Sequence, residues 1–291
     1  MTEFWESGLI LRTLSGSRAQ GLDRKGSDTD TRGVCIPPVR FLLGLERFEQ
    51  HESAGGDHVT YALDKFTRLA LNGNPNILES LFADPRDVLH MTPAGERLVT
   101  ARKQFLSKRL GPRYLGYAQG QLKRLRGHHR WLTDPPREEP DPLAFGMQTV
   151  DGRQRFPNAD NQRAFEAAHK QWQHYNTWRA ERNPARAELE EHHGYDTKHA
   201  MHLIRLLKMG VEVLRDGQLL VKRPDADELL SIRDGALSFD AMLERTEALE
   251  AQLLANLKTS PLPDEPDSQA VEQLLIDLQI DALMERPQGS R

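Results

Sequence analysis

Only one cysteine, Cys35, occurs in the 291 residues. An internal disulfide is therefore impossible, and a cysteine-rich zinc site is excluded. No apolar run approaches the ~18 residues that a membrane-spanning helix needs. The opening residues, Met1 to Ser7, contain no basic stretch followed by an apolar one, so no signal peptide is expected. A reducing, cytoplasmic setting without a membrane partner fits these absences. Four histidines cluster at His192, His193, His199 and His202, but no His-Glu-x-x-His spacing accompanies them, so zinc is not expected. Acids are missing over one long stretch. Between Arg97 and Arg130 there are ten Lys or Arg residues and no Asp or Glu, whereas from Glu247 onward nine acids face three bases. A one-sign field of the first kind favours a polyanionic partner; the acidic tail reads as solvated helix faces.

What is present is enough for a globular chain. Hydrophobic residues make up 38% and charged residues 28%, which at about 100–200 residues per domain allows one large core or two modest domains. Residues 8–14 and 31–36 read as strands, the second stopped by Pro37 and Pro38. Cys35, in the second, reads as a small core hydrophobe. Residues 47–52 and 57–61 are weaker strand candidates around the Gly55-Gly56 turn. Residues 64–71 and 77–82 look helical. After Met91 the pattern is almost wholly helical. Thr92 is an N-cap with Pro93 behind it, opening a helix to about residue 107, and Pro112 opens the next, to about residue 132. A proline-rich loop over 134–142 and an irregular stretch over 144–161 follow. Further helices are expected at 162–181, 195–215, 226–234, 239–257 and 269–285, with a short extended piece at 218–223. The fold class is α+β, with a small mixed-sheet domain over residues 1–91 and a mainly helical domain over 92–291 that carries the loop at 134–161.

The chemistry concentrates between the first two strands. Gly16-Ser17 follows a strand and can bring backbone N–H groups and a hydroxyl close to a phosphate. Asp28 and Asp30 are two apart at a strand start and so share one face. Two carboxylates on one face repel unless a cation lies between them, and Mg²⁺, held by carboxylates and substrate phosphates, resolves the repulsion. A carboxylate pair beside a phosphate cradle is what two-metal phosphoryl chemistry requires, with Mn²⁺ an acceptable substitute. Asp-x-Asp alone is a common surface turn; Gly-Ser followed after ten residues by Asp-x-Asp, between two strands, is far more specific. Arg18 and Arg32 flank the acids, and either can bind a phosphate or neutralise the cluster.

Gly16-Ser17, a spacer and Asp28-x-Asp30 resemble the signature of the DNA polymerase β-like nucleotidyltransferase superfamily. Within it, Gly16-Ser17-Arg18-Ala19-x-Gly21 and Ser27-Asp28-x-Asp30-x-Arg32-Gly33-Val34 resemble the RNA-ligase-associated nucleotidyltransferases of RNA repair. Residues 65–81, through Asn72-Gly73-Asn74-Pro75 to Glu79, and residues 194–207 support the same resemblance, which covers about residues 8–82 and 192–235. It implies a palm-like catalytic domain, Asp28 and Asp30 as metal ligands, Gly16 and Ser17 at the nucleotide phosphates, where the flanking Arg18 is also expected, and a third carboxylate on a later strand. Asp57 is the choice for that carboxylate, with Glu49, Glu52 and Asp64 as competitors.

Two softer constellations lie further on. Lys198, His202 and Arg205 fall at i, i+4 and i+7, one face of a helix, and need an anion opposite if buried. The motif resemblance favours nucleotide phosphate over a plain basic surface. Tyr117, Gln121, Arg124 and His128 form a second stripe; with Arg113 and Arg130 they make an RNA-contacting surface, set against buried tyrosines under a solvated basic face. The reading that follows is transfer of a nucleoside monophosphate from an NTP to an acceptor hydroxyl, with an RNA 3′ end as acceptor. The alternatives are a protein side chain or small molecule as acceptor, or a catalytically inert RNA- or nucleotide-binding module.

Overall fold

The computed structural model describes residues 3–182 and 184–285. It is α+β, as expected: a mixed five-stranded sheet in the N-terminal region is followed by a mainly helical C-terminal region. The N-terminal region runs α1 (Phe4–Ser7), β1 (Leu9–Ser15), α2 (Gly16–Gln20), β2 (Asp30–Cys35), α3 (Val39–Leu42), β3 (Gln50–Glu52) and β4 (His58–Ala62). After α4 (Leu63–Leu71) and α5 (Pro75–Leu81), β5 (Val88–Met91) completes the sheet in the order β3-β4-β2-β1-β5. β1 is antiparallel to β2 and β5, β2 is parallel to β4, and β3 is antiparallel to β4. The central strands bury Leu9, Ile10, Leu11, Val34 and Cys35, the near-continuous apolar run expected of strands covered on both faces. α4 buries Leu63, Phe66, Thr67 and Ala70, a spacing of 3, 1 and 3 residues that makes one apolar stripe. Asn74 caps α5, its side-chain oxygen accepting from Asn76 N and Ile77 N, with Pro75 at the first helical position. Asn74→Ala should therefore cost about 1 kcal/mol of stability, read from a denaturant midpoint with an unchanged slope.

The helical region comprises α6 (Pro93–Thr100), α7 (Leu110–Thr133), α8 (Ala159–Glu181), α9 (Pro184–His193), α10 (Thr197–Asp216), α11 (Ala226–Arg233), α12 (Phe239–Thr259) and α13 (Ser268–Glu285), with a hairpin of β6 (Gln148–Val150) and β7 (Arg153–Arg155) ahead of α8. Thr92 does cap α6, accepting from Gly95 N. Several expectations need correction. β5 was not anticipated; three of its four residues are exposed, so no alternating pattern marks it, and it exists because β1 offers it an edge. α6 stops at Thr100 and gives way to a 3-10 turn over Ala101–Phe105 rather than continuing to residue 107. The stretch 144–161 is not irregular throughout, since it holds the β6–β7 hairpin. α9 was missed: its charged sequence carries no apolar period. The extended piece at 218–223 joins no sheet.

The chain divides into two compact units, and neither follows a cut at residue 91. The first comprises Met1–Gln119, Leu203–Ser231 and Glu244–Arg291; the second, Gly120–His202 and Ile232–Leu243. In the first unit Gly210 lies where α10 meets its neighbours, and a Cβ there would come within 2.7 Å of Leu253 and 3.0 Å of Tyr114. Glycine permits that approach, and α10 is buried nearly all round over Leu203–Leu207. The acidic tail is not simply solvated. Arg97 bonds Asp281 at 2.5 Å, Lys108 bonds Asp264 at 2.8 Å and Arg109 bonds Glu265 at 3.0 Å, so tail carboxylates neutralise the first part of the basic run. In the second unit Trp131, Tyr175 and Trp178 pack together with ring centroids 5.2–6.2 Å apart, and His129 stacks on Phe239 at 3.8 Å. No helix among the described residues is long and apolar enough to cross a membrane.

Candidate active site

The site forms where β1 hands over to α2. The register pairs Ser15 with Asp30, which sets the next residue, Gly16, directly against the Asp30 carboxylate. Gly16 has φ +62°, and a Cβ built on it would overlap Asp30 Oδ2. Two demands therefore converge on glycine: a left-handed backbone, which strains other residues, and a carboxylate in contact with Cα. Ser17 follows, half-buried, in the first turn of α2.

Asp28 sits exposed just ahead of β2, and Asp30, half-buried, opens it. Burial pushes the Asp30 carboxyl above the usual carboxylate range; the Arg32 guanidinium opposes the shift, while the charges of Asp57 and Asp28 add to it. β2 and β4 pair Thr31 with His58, so Asp57 lies beside Asp30 where the two parallel strands begin. Its backbone carbonyl accepts from Thr31 N at 2.8 Å and Arg32 Nη1 at 3.2 Å, which ties the start of β2 to the residue before β4. The competing acids are engaged elsewhere: Glu49 bonds Lys65 at 2.7 Å, Glu52 accepts from Gln50 Nε2 at 3.2 Å, and Asp64 bonds Arg68 at 3.3 Å. Arg18 donates through Nε to Asp28 O at 3.1 Å and through Nη2 to Ser27 O at 2.8 Å. It braces the loop that carries Asp28, and Arg32 likewise bonds backbone carbonyls. Among the described residues no three His, Cys, Asp or Glu side chains form a ready-made ion cage. The donor set still fits a hard cation that takes its remaining ligands from substrate oxygens, because Asp30 is burdened by burial and by two neighbouring negative charges.

The structure therefore brings together Gly16, Ser17, Arg18, Asp28, Asp30 and Asp57. Arg205 is placed differently: it is buried, and its Nη1 bonds Glu79 Oε1 at 2.6 Å. It is a partner of Glu79 in the interior and not a group facing solvent. Lys198 and His202 belong to the second unit, half-buried in the first turns of α10. On α7, Arg113 and Tyr117 are exposed in the first unit, and Arg124 and Arg130 are exposed in the second. Tyr114 is buried while Tyr117 is 43% exposed, so the two tyrosines divide between core and surface. Glu79 and Gln20 were missed by sequence reasoning. The available signal was an acid between Ile77, Leu78 and Leu81, which are all buried.

Gly16→Ala tests the cradle directly. A left-handed alanine costs roughly 1–2 kcal/mol, and the overlap must also displace Asp30. The expected result is a protein destabilised by at least that amount, read from a denaturant midpoint with an unchanged slope. Wild-type stability in this variant would contradict the geometry.

No curated protein and no solved structure matches the chain. The segment 192–235, included in the motif resemblance, lies outside the region matched by a family model. Through residues 3–134 the chain matches the family model of RlaP, the RNA repair pathway DNA polymerase beta family, which its Gly16-Ser17 and Asp28-x-Asp30 motifs resemble.

Proposed function

We propose that the protein is a divalent-metal-dependent nucleotidyltransferase that moves a nucleoside monophosphate from an NTP to an acceptor hydroxyl, with an RNA 3′ end as the acceptor. The observation that carries the reading is the Asp30 carboxylate. It is pressed against Gly16, partly buried and crowded by the charges of Asp28 and Asp57. A fold gains nothing in stability from such crowding. The polymerase β description of the matched family supports the same chemistry, and its RNA repair description supports the acceptor.

Asp28 and Asp30, with Asp57, would hold Mg²⁺ or Mn²⁺, which when bound polarises phosphoryl oxygens and makes a hydroxyl more acidic. The chain's own groups then divide the remaining work. Gly16 leaves the space that the Asp30 carboxylate fills against the backbone, and the Ser17 hydroxyl donates to a phosphate oxygen. Arg18 fixes the loop bearing Asp28. Arg32 fixes Asp57 through its carbonyl, and the Asp57 carboxylate would accept the proton of the attacking hydroxyl. The exposed Arg113 and Tyr117, and separately Arg124 and Arg130, offer charge and a stacking face for single-stranded RNA. Lys198 and His202 are proposed as further nucleotide contacts on the strength of the motif resemblance.

The test is incubation with each labelled NTP, Mg²⁺ or Mn²⁺, and RNA ending in a 3′ hydroxyl. Label entering RNA, and lost when the 3′ hydroxyl is blocked, is the expected outcome. Label in protein or a small molecule would overturn the acceptor. NTP binding without turnover on any acceptor would overturn the enzymatic reading itself.

A further inference from the structure

α2 is only five residues long, so about 7–8 Å separates its site end from its far end. Few hydrogen bonds close it: Gly21 N donates to Arg18 O at 3.2 Å and Leu22 N to Ser17 O at 2.8 Å. A helix this short does not hold itself. Its far end is gripped instead by residues distant in sequence. Gln20, 3% exposed, donates from Nε2 to Glu79 Oε2 at 2.8 Å. Arg205 donates to the other oxygen of Glu79, and its Nη1 also lies 3.1 Å from Met209 Sδ. Arg223 N donates to Gln20 O at 3.0 Å, and Lys222 Nζ donates to Arg18 O at 3.2 Å. All of these residues lie in the first compact unit.

This arrangement is poor as a device for stability. Glu79 and Arg205 are 6% and 5% exposed, and an apolar pair of similar volume serves a core at least as well as a buried ion pair. Three buried polar atoms around it, Gln20 Oε1, Arg205 Nε and the Tyr114 hydroxyl, make no hydrogen bond among the described residues, and each is a cost. What the network does provide is direction, because hydrogen bonds to a carboxylate fix geometry where apolar packing permits sliding. Arg18, on the same helix, carries that geometry to the loop holding Asp28.

We propose that Gln20, Glu79 and Arg205 are positioning residues that hold α2, and through it Gly16, Ser17 and the Asp28 loop, in place against Asp30. The inference rests on the function proposed above for that site, although the placement of α2 can be measured without it. Arg205, read from the sequence as a phosphate contact, acts here through Glu79.

The experiment is native-state hydrogen exchange on the full chain, without nucleotide or metal, in Gln20→Ala and Glu79→Gln. Asp267→Ala, which removes the side-chain cap at the start of α13, serves as a control that lowers stability elsewhere in the same unit. The Gly21 and Leu22 amides should exchange at least ~10-fold faster in the Gln20 and Glu79 variants, while amides of Leu249 and Leu253 in α12 stay at wild-type rates and the control leaves Gly21 and Leu22 unchanged. In the transfer assay kcat/KM for NTP should fall about tenfold with the same substitutions. If Glu79→Gln does not fold, Gln20→Ala decides, since it leaves the Glu79–Arg205 pair intact. Uniform acceleration across the first unit, or no change at Gly21 and Leu22, overturns the proposal. A wild-type protein that transfers no nucleotide defeats the functional reading, and the exchange rates still decide whether these residues hold α2.

Discussion

Replacing Asp28 and Asp30 together by asparagine should abolish the proposed nucleotide transfer, by on the order of 10³-fold or more, in a protein that remains folded. Both side chains lie at the head of β2 and neither is core: Asp28 is exposed and Asp30 half-buried. Asparagine keeps their volume and removes their charge, so the loss falls on cation and substrate binding. A second readout is independent of activity. Mg²⁺ should raise the melting temperature of the wild-type protein by mass action and leave that of the double variant unmoved. The pKa of Asp30 adds a sign. Its folded pKa is raised, so its ionised form at neutral pH destabilises the metal-free fold, and protonation as the pH drops toward the carboxylate range relieves that cost. Asp30→Asn alone should therefore melt at a higher temperature than the wild type without metal, while losing the proposed transfer activity. Such a gain marks a site kept for function at the expense of stability. Full transfer activity in the double variant, or equal Mg²⁺ shifts in both proteins, would end the two-carboxylate scheme.

Removing Arg223 should produce the largest loss of stability. Its side chain is fully buried, donates through Nη1 and Nη2 to both oxygens of Glu212 at 2.6 and 2.7 Å, and donates through Nε to Asp225 at 2.8 Å. Arg223→Met keeps the stem and deletes the charge, leaving two carboxylates facing an apolar neighbour. Breaking a buried pair costs about 3–5 kcal/mol. Glu212 and Asp225 are still 20% and 19% exposed and can recruit water, so the low end, about 3 kcal/mol, is expected in urea or thermal unfolding. pH dependence gives a further check. Burial works against the ionised form of Asp225, yet Lys208 and Arg223 more than offset it and hold its carboxyl below the usual range. A depressed carboxylate pKa contributes stability above the unfolded value, near 3.9, that is lost as the pH falls through the folded value. The wild type should lose stability progressively below about pH 4, and Arg223→Met should lose less over that window because part of the contribution is already gone.

Much of the candidate site's local geometry was legible in the sequence because its signals are local. Gly16, Asp28 and Asp30 lie within fifteen residues, and the turn from strand to helix that joins them is written in their own backbone demands. Thr92, with Pro93 behind it, likewise announced its helix by a cap that needs no partner elsewhere. The misses share the opposite cause. β5 carries no periodic pattern and is a strand only because β1 presents unpaired backbone groups beside it. α9 has no apolar stripe, and one of its residues, Glu190, is held by Arg182 from outside the helix at 2.5 Å. The acid-free run from Arg97 to Arg130 promised a broad basic field, but Arg97, Lys108 and Arg109 spend their charge on carboxylates more than 150 residues away. What remains exposed, Arg113, Arg124 and Arg130 among them, is a smaller surface than the sequence suggests.

The sequence by itself determined the acids, the glycine that must adopt a positive φ, and the α+β order of elements, since each follows from residue type and short-range spacing. Tertiary structure decided which charges are available. Lys198, His202 and Arg205 share a helical face in the sequence, yet folding buries Arg205 against Glu79 and gives the other two to a different compact unit. It also decided that Gln20, unremarkable in its motif, would hold the far end of the site helix. The physical reason is that a charge acquires its role from what lies within a few ångströms, where a partner or a low dielectric changes its energy by several kcal/mol, and those neighbours come from anywhere in the chain.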